Sequence, residues 1–158
     1  MDPAIRKRTL RLLSNGIYVM TSAHGSRRGA ATLTWLSQAS FKPPLVMAAV
    51  RPASNVFQCL VESRVAAIHI LDAAQQEMAQ RFFCPTRVVD GTINGEPFTP
   101  GMTGVPILAG AHAHVECEVR HIFDRGDHAV VVLEVIDAQC HGDINPLTVA
   151  ASPWEYGG

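Results

Sequence analysis

Across 158 residues the chain carries 13 basic and 14 acidic side chains, and this near-neutral balance offers no basic footprint for nucleic acid. Charged residues make up 17%, below the roughly 25% of an ordinary soluble domain, so much neutral surface must be hidden, most simply in a subunit interface. The length suits one domain over residues 1–158, and no apolar run approaches the roughly 18 residues of a membrane span.

The first segment, residues 3–14, sets Ile5, Leu10, Leu12 and Leu13 among Arg and Lys and stops at Asn15-Gly16, as a surface helix would. It lacks the apolar core and small-residue cleavage site of a secretory leader, which points to the cytoplasm. Residues 17–22 and 29–41 then read as a hairpin, closed at Pro43-Pro44 because proline cannot donate to a ladder. Leu45–Val50 reads as a strand buried on both faces. Residues 52–63 suit a short helix with Ser54 at its N-cap, and RVAAIHIL is another strand with His69 as a satisfied core histidine. Asp72 is placed to cap a helix containing Met78 and Phe82, and the Gly- and Pro-rich residues 84–105 form an ordered loop. AHAHVECEVRHIF and HAVVVLEVIDAQCH alternate as paired strands across the turn DRGD, and the tail NPLTVAASPWEYGG has no regular pattern. Many strands with a few short peripheral helices predict a mainly β fold, a closed antiparallel barrel. The scattered Cys59, Cys84, Cys117 and Cys140 read as small apolar fillers.

Residues 34–41 break the alternation of a half-wet strand. Thr34, Gln38 and Ser40 share a parity with Leu36, whereas Ser37 falls among Trp35, Ala39 and Phe41. Thr32, Thr34, Ser37 and Gln38 lining a pocket would suit a flat heteroaromatic ring bearing carbonyls and N–H groups. Arg51 and Ser54 at a helix start would suit an anion. A planar polar-edged ring joined to a phosphate is the outline of flavin mononucleotide (FMN); hydroxyls satisfied by the barrel's own backbone are the alternative.

The succession ATLTWLSQASFKPPLVM, RPASNVFQCL, VAAIHIL, MAQRFF, GVPIL, HVECEV and GDHAVVVLEVIDA, within Gly16 to Asp137, resembles the flavin reductase family. That family has the FMN-binding split-barrel fold. The resemblance implies flavin contacts from Thr32, Leu33, Thr34, Trp35, Ser37 and Gln38. It also implies a phosphate held at Ser54, with Asn55 or Arg51 compensating where Val56 replaces the family's second hydroxyl. Phe82 or Phe83 would lie near the ring or close the pocket, and His128 would lie near the nicotinamide as the catalytic-site candidate. The implied chemistry is hydride transfer from NADH or NADPH to FMN, in a homodimer with sites near the interface and an oxygenase as the recipient of reduced flavin. An FMN-retaining electron-transfer flavoprotein and a non-flavin barrel are the alternatives.

Two further features have readings of their own. His112, His114, Glu116 and Glu118 share one strand face and could bind a metal, but a solvated polar face gives the same pattern and is preferred, so no metal site is expected. Trp154 and Tyr156 are expected either to fray with the terminus or to pack over the flavin or a partner subunit.

Overall fold

The computed structural model describes all of residues 1–158. Helix α1 (Pro3–Leu10) is capped by Asp2, whose carboxylate accepts from the Ala4 amide at 2.8 Å. It ends before the 3–14 pattern does, and none of its residues is buried. Short helices draw most of their stability from packing, and the apolar residues Leu12 and Leu13 find nothing here to pack against.

Strands β1 (Tyr18–His24) and β2 (Arg27–Leu33) form the expected hairpin, turning at Gly25 in a left-handed conformation. The long second strand of the sequence reading is interrupted at Thr34-Trp35, and β3 (Leu36–Ser40) begins beyond the break. Strand β4 (Leu45–Val50) alternates rather than being buried on both faces, with Val46, Ala48 and Val50 inside and Met47 43% exposed. Helix α2 (Asn55–Ser63), strand β5 (Val65–Ile70) and helix α3 (Gln76–Arg81) follow.

Asp72 does not cap α3; its carboxylate accepts from the Ala74 and Asn145 amides and so ties down the C-terminal segment instead. Residues 84–105 contain β6 (Val88–Val89), β7 (Thr92–Ile93) and β8 (Glu96–Pro100), which join β9 (Pro106–Leu108) in a small sheet of order β6-β7-β8-β9. The long strands β10 (Ala113–Phe123) and β11 (Ala129–Cys140) complete the fold. No helix is long and apolar enough to cross a membrane.

The main sheet has seven antiparallel strands in the order β2-β1-β5-β10-β11-β4-β3. It is open, which corrects the expected closed barrel: β2 and β3 are consecutive in the chain yet occupy opposite edges, and no ladder joins them. It nevertheless curls. Met20 and Leu33 from one end share an apolar cluster with Val46, Ala48 and Val50 from the other, and α2 adds Val56, Phe57 and Leu60. Each large side chain buried there (Met, Leu, Val or Phe) contributes about 1.5–3 kcal/mol. Only two cysteines, Cys59 and Cys117, are core fillers; Cys84 and Cys140 are exposed.

Two buried polar groups have structural duties. His69 is held on both ring nitrogens, Nδ1 donating to the Val19 carbonyl and Nε2 accepting from the Leu108 amide, each at 3.0 Å. Burial pushes its pKa down to about 4, so it is neutral at physiological pH. Glu116 is buried rather than part of a solvated face, accepting from the Met102 amide and from both the amide and hydroxyl of Thr103. Burial alone would raise its pKa, but these donors outweigh it and hold the carboxyl below its ordinary range.

A folded-state pKa held below the unfolded one stabilises the fold above the unfolded value, and this is lost as pH falls through the folded value. Glu116→Gln is therefore expected to cost about 2 kcal/mol at neutral pH by setting an amide NH2 against the Thr103 donors. The gap to wild type should shrink as the solution is acidified below the carboxylate range. Urea unfolding across pH measures it, and a gap of the same size at acid pH would mean that charge is not the cause.

Candidate active site

One end of the site is built by α2. Ser54 Oγ accepts from the Phe57 amide at 3.3 Å and donates to the Arg51 carbonyl at 2.7 Å, which fixes the turn carrying the Arg51 side chain. The exposed guanidinium and the positive end of a nine-residue helix thus face the same space. The start of α2 lies directly on β2. A Cβ built on Gly29 would sit 2.4 Å from Val56 Cα and 2.5 Å from Val56 N, so only glycine permits this approach.

Between β2 and β3 the backbone leaves regular pairing. The Leu36 amide donates back to the Thr34 carbonyl at 3.2 Å, a three-residue turn, and the Trp35 carbonyl accepts from the Ala49 amide at 2.9 Å. The amides of Thr34 and Trp35 themselves donate to none of the protein's carbonyls. Thr34 Oγ1 is the buried side-chain oxygen or nitrogen that lacks a hydrogen-bond partner. Buried hydroxyls are nearly always paired, so this one is left free to donate to a polar group entering the site.

A cleft of about 90 Å3, open to solvent, runs from this turn to the helix start. It is lined by Thr32, Leu33, Thr34 and Trp35, by Arg51 and Ser54, and by His128 and Tyr156. His128 is oriented by Asp127, whose carboxylate accepts from Nδ1 at 2.8 Å, and that hydrogen bond lowers the Asp127 pKa. His128 Nε2 faces Arg51 Nε at 3.4 Å and the Tyr156 hydroxyl at 3.1 Å, with the Trp35 ring 4.7 Å from the imidazole.

Other sequence candidates offer the cleft no free polar group. Thr32 lines it, but its hydroxyl is spent on the Ala79 carbonyl at 2.6 Å and its amide on the Phe82 carbonyl. Ser37 and Gln38 point to solvent, the Ser37 hydroxyl donating to the Gln38 carbonyl, and Asn55 is exposed. Phe82 is buried in a second apolar cluster with Leu71 and Ile93. Phe83 is half-exposed and meets Trp154 edge-on at 4.9 Å, away from the cleft wall. Sequence reasoning missed Ala31, Ala49 and Val50, which also line the cleft. Their signal was the small size of two residues on strands flanking the irregular turn. His114, Glu116 and Asp137 also come together within 4.8 Å, but the loop at 102–103 already accounts for Glu116.

An open, curled antiparallel sheet carries a slot with neutral donors at one end and a cation at a helix start at the other, an arrangement that could take a planar ring with an anionic tail. The model of the flavin reductase like domain matches residues 10–153, and the chain belongs to that family. It is 31% identical over 144 residues to an NADH-dependent FMN reductase of Agrobacterium fabrum, covering 89% of this chain and 78% of that one. It is 28% identical to the reductase subunit HsaB of a flavin-dependent monooxygenase of Mycobacterium tuberculosis, covering 83% and 68% of the two chains. The NADH:FAD oxidoreductase of Streptomyces globisporus, solved with NAD and FAD fragments, superposes with a TM-score of 0.79 at 27% identity, over 94% of this chain and 90% of that one.

Proposed function

We propose that residues 1–158 form one flavin-binding split-barrel unit, an NAD(P)H-dependent FMN reductase that supplies reduced flavin to a separate oxygenase. The observation that carries this reading is the turn at Thr34-Trp35, where a buried hydroxyl and two amides have no protein partner beside a cleft ending at Arg51 and Ser54. One guanidinium at one helix start suits a single phosphate, which favours FMN over a dinucleotide. The relatives' activities, FMN reduction in one and FAD oxidoreduction in another, support the class.

Bound flavin would accept a hydride from the nicotinamide and pass electrons on. The chain's own residues position it and exclude water. Thr34 Oγ1 and the adjacent amides donate to the polar ring edge, where fixed donors meet developing charge without reorganisation. Arg51 and the amides at the start of α2 hold the phosphate. His128, its Nδ1 fixed by Asp127, presents Nε2 at the mouth as a positioning group for the nicotinamide, and Trp35 screens the slot. A homodimer would cover the outward faces of β4 and β11, where Met47 and Val130 are exposed, and Phe41, which is 91% exposed. The HsaB relative, a monooxygenase's reductase subunit, supports the oxygenase as partner.

The test is the visible spectrum of the protein titrated with FMN and with FAD, followed by rapid mixing with NADH or NADPH. Bleaching on the timescale of turnover is the expected result. Flavin that binds but is bleached by neither nicotinamide would make the chain an electron carrier, and failure to bind either flavin would remove the reading. Arg51→Gln should weaken FMN about tenfold and leave riboflavin, which lacks the phosphate, within about twofold, because an exposed charge-assisted contact is worth little more than that.

A further inference from the structure

Residues 155–158 run alongside the end of α1 and send Tyr156 into the cleft. Tyr156 stands among the lining residues, its hydroxyl 3.1 Å from His128 Nε2 and 3.5 Å from the Arg51 guanidinium, with its ring 5.3 Å from that of Trp35. The phenol therefore engages the cleft's cation and its imidazole together. A latch outside the cleft holds the segment there: Arg11, just past the end of α1, binds Glu155 at 2.7 Å and donates to the Gly157 carbonyl at 3.1 Å. Gly157 takes a positive φ of 93°, and a Cβ on it would meet the Trp35 indole at 3.6 Å, so the chain there lies against the ring. The tail thus spans from the N-terminal helix to the mouth of the site.

We propose that residues 155–158 are an intramolecular competitor for the phosphate-bearing ligand, with Tyr156 holding Arg51 and His128 until a phosphate displaces it and the Arg11–Glu155 pair setting how firmly the tail is latched. This rests on the flavin reading for the ligand's identity, but the displacement itself requires only a phosphate group. The holding contacts are exposed or long, so each is weak, and together they form a cap that ligand binding can open. A ligand that must first displace the cap binds more weakly by the fraction of molecules that are open. Loosening the latch should therefore tighten binding, the opposite of what loss of an ordinary contact residue does.

The test compares full-length wild type with Tyr156→Ala and Arg11→Gln, titrating each with FMN and with riboflavin. Both variants are expected to bind FMN about five- to tenfold more tightly and riboflavin within about twofold of wild type. NADH, titrated without flavin, separates a cap over the flavin phosphate from one over the dinucleotide's pyrophosphate: tightening confined to NADH would assign the competition to the dinucleotide. Unchanged or weaker affinity for both FMN and NADH in both variants overturns the proposal. A flavin-free readout keeps the two readings apart. In a Trp154→Phe background the remaining indole, Trp35, reports the tail, and inorganic phosphate should shift its emission with Tyr156 present but not in Tyr156→Ala. Chloride at matched ionic strength should not reproduce the shift. If phosphate leaves the emission unmoved, the cap is wrong even where FMN binds; if phosphate moves it and no flavin binds, the flavin reading is wrong and the cap stands.

Discussion

Gly29→Ala is expected to lower the melting temperature by about 6–12 °C, the equivalent of about 3 kcal/mol in a chain of this size. The added methyl would lie 2.4–2.6 Å from Val56 Cα, Val56 N and Asn55 C. All three are backbone atoms at the first turn of α2, so no side chain can rotate out of the way. Either β2 or the helix must move, and the helix brings with it Val56, Phe57 and Leu60 from the main apolar cluster. The same movement displaces Ser54 and Arg51 from the turn at Thr34, so phosphate-bearing ligands should lose affinity more than riboflavin does. Thermal unfolding and FMN titration of the one variant read both effects. A melting temperature within about 2 °C of wild type would show that β2 and α2 can separate at little cost.

How much of this was legible in the sequence depended on whether the signal was local. Ser54 before an amphipathic run announced the start of α2, because an N-cap and its helix are encoded within a few residues. The paired strands β10 and β11 were legible from alternation alone, and the fold class followed from the succession of strands. The irregular turn at 34–35 was visible as a failure of alternation, but which hydroxyl it would leave unpaired was not. Thr32 and Thr34 look alike in sequence. Only the position of α3, whose Ala79 carbonyl accepts from Thr32, separates a satisfied hydroxyl from an orphaned one.

Long-range partners explain the other differences. Asp72 has the composition of a helix cap but binds Asn145, 73 positions away, and Glu116 has that of a wet strand face but anchors the loop at 102–103. Whether the sheet closes depends on two edges separated by the whole curl, which no window of sequence contains. The tail lacked periodicity because its order comes from Arg11, Trp35 and His128 rather than from its own repeat.

Thr34→Val separates stability from function by sign. The buried Thr34 hydroxyl has no partner, and an unsatisfied buried group costs about 1–3 kcal/mol. Valine keeps the branched shape and removes the oxygen, so the ligand-free protein should melt at the same temperature or up to about 4 °C higher. FMN affinity should instead fall about thirtyfold, the equivalent of about 2 kcal/mol, because the ring atom facing this position would be left buried without its donor. Riboflavin should lose as much, since the lost contact is to the ring; this distinguishes the variant from Arg51→Gln, which should discriminate between the two. Thr34→Ser, which keeps the oxygen, should recover most of the affinity. Ser37→Ala should change affinity by less than about twofold, because that hydroxyl faces solvent and bonds only to Gln38. A Thr34→Val protein that is more stable and binds FMN as wild type does would reduce the orphaned hydroxyl to a packing defect. A protein that loses stability along with affinity would mean that the oxygen already has a partner in the fold.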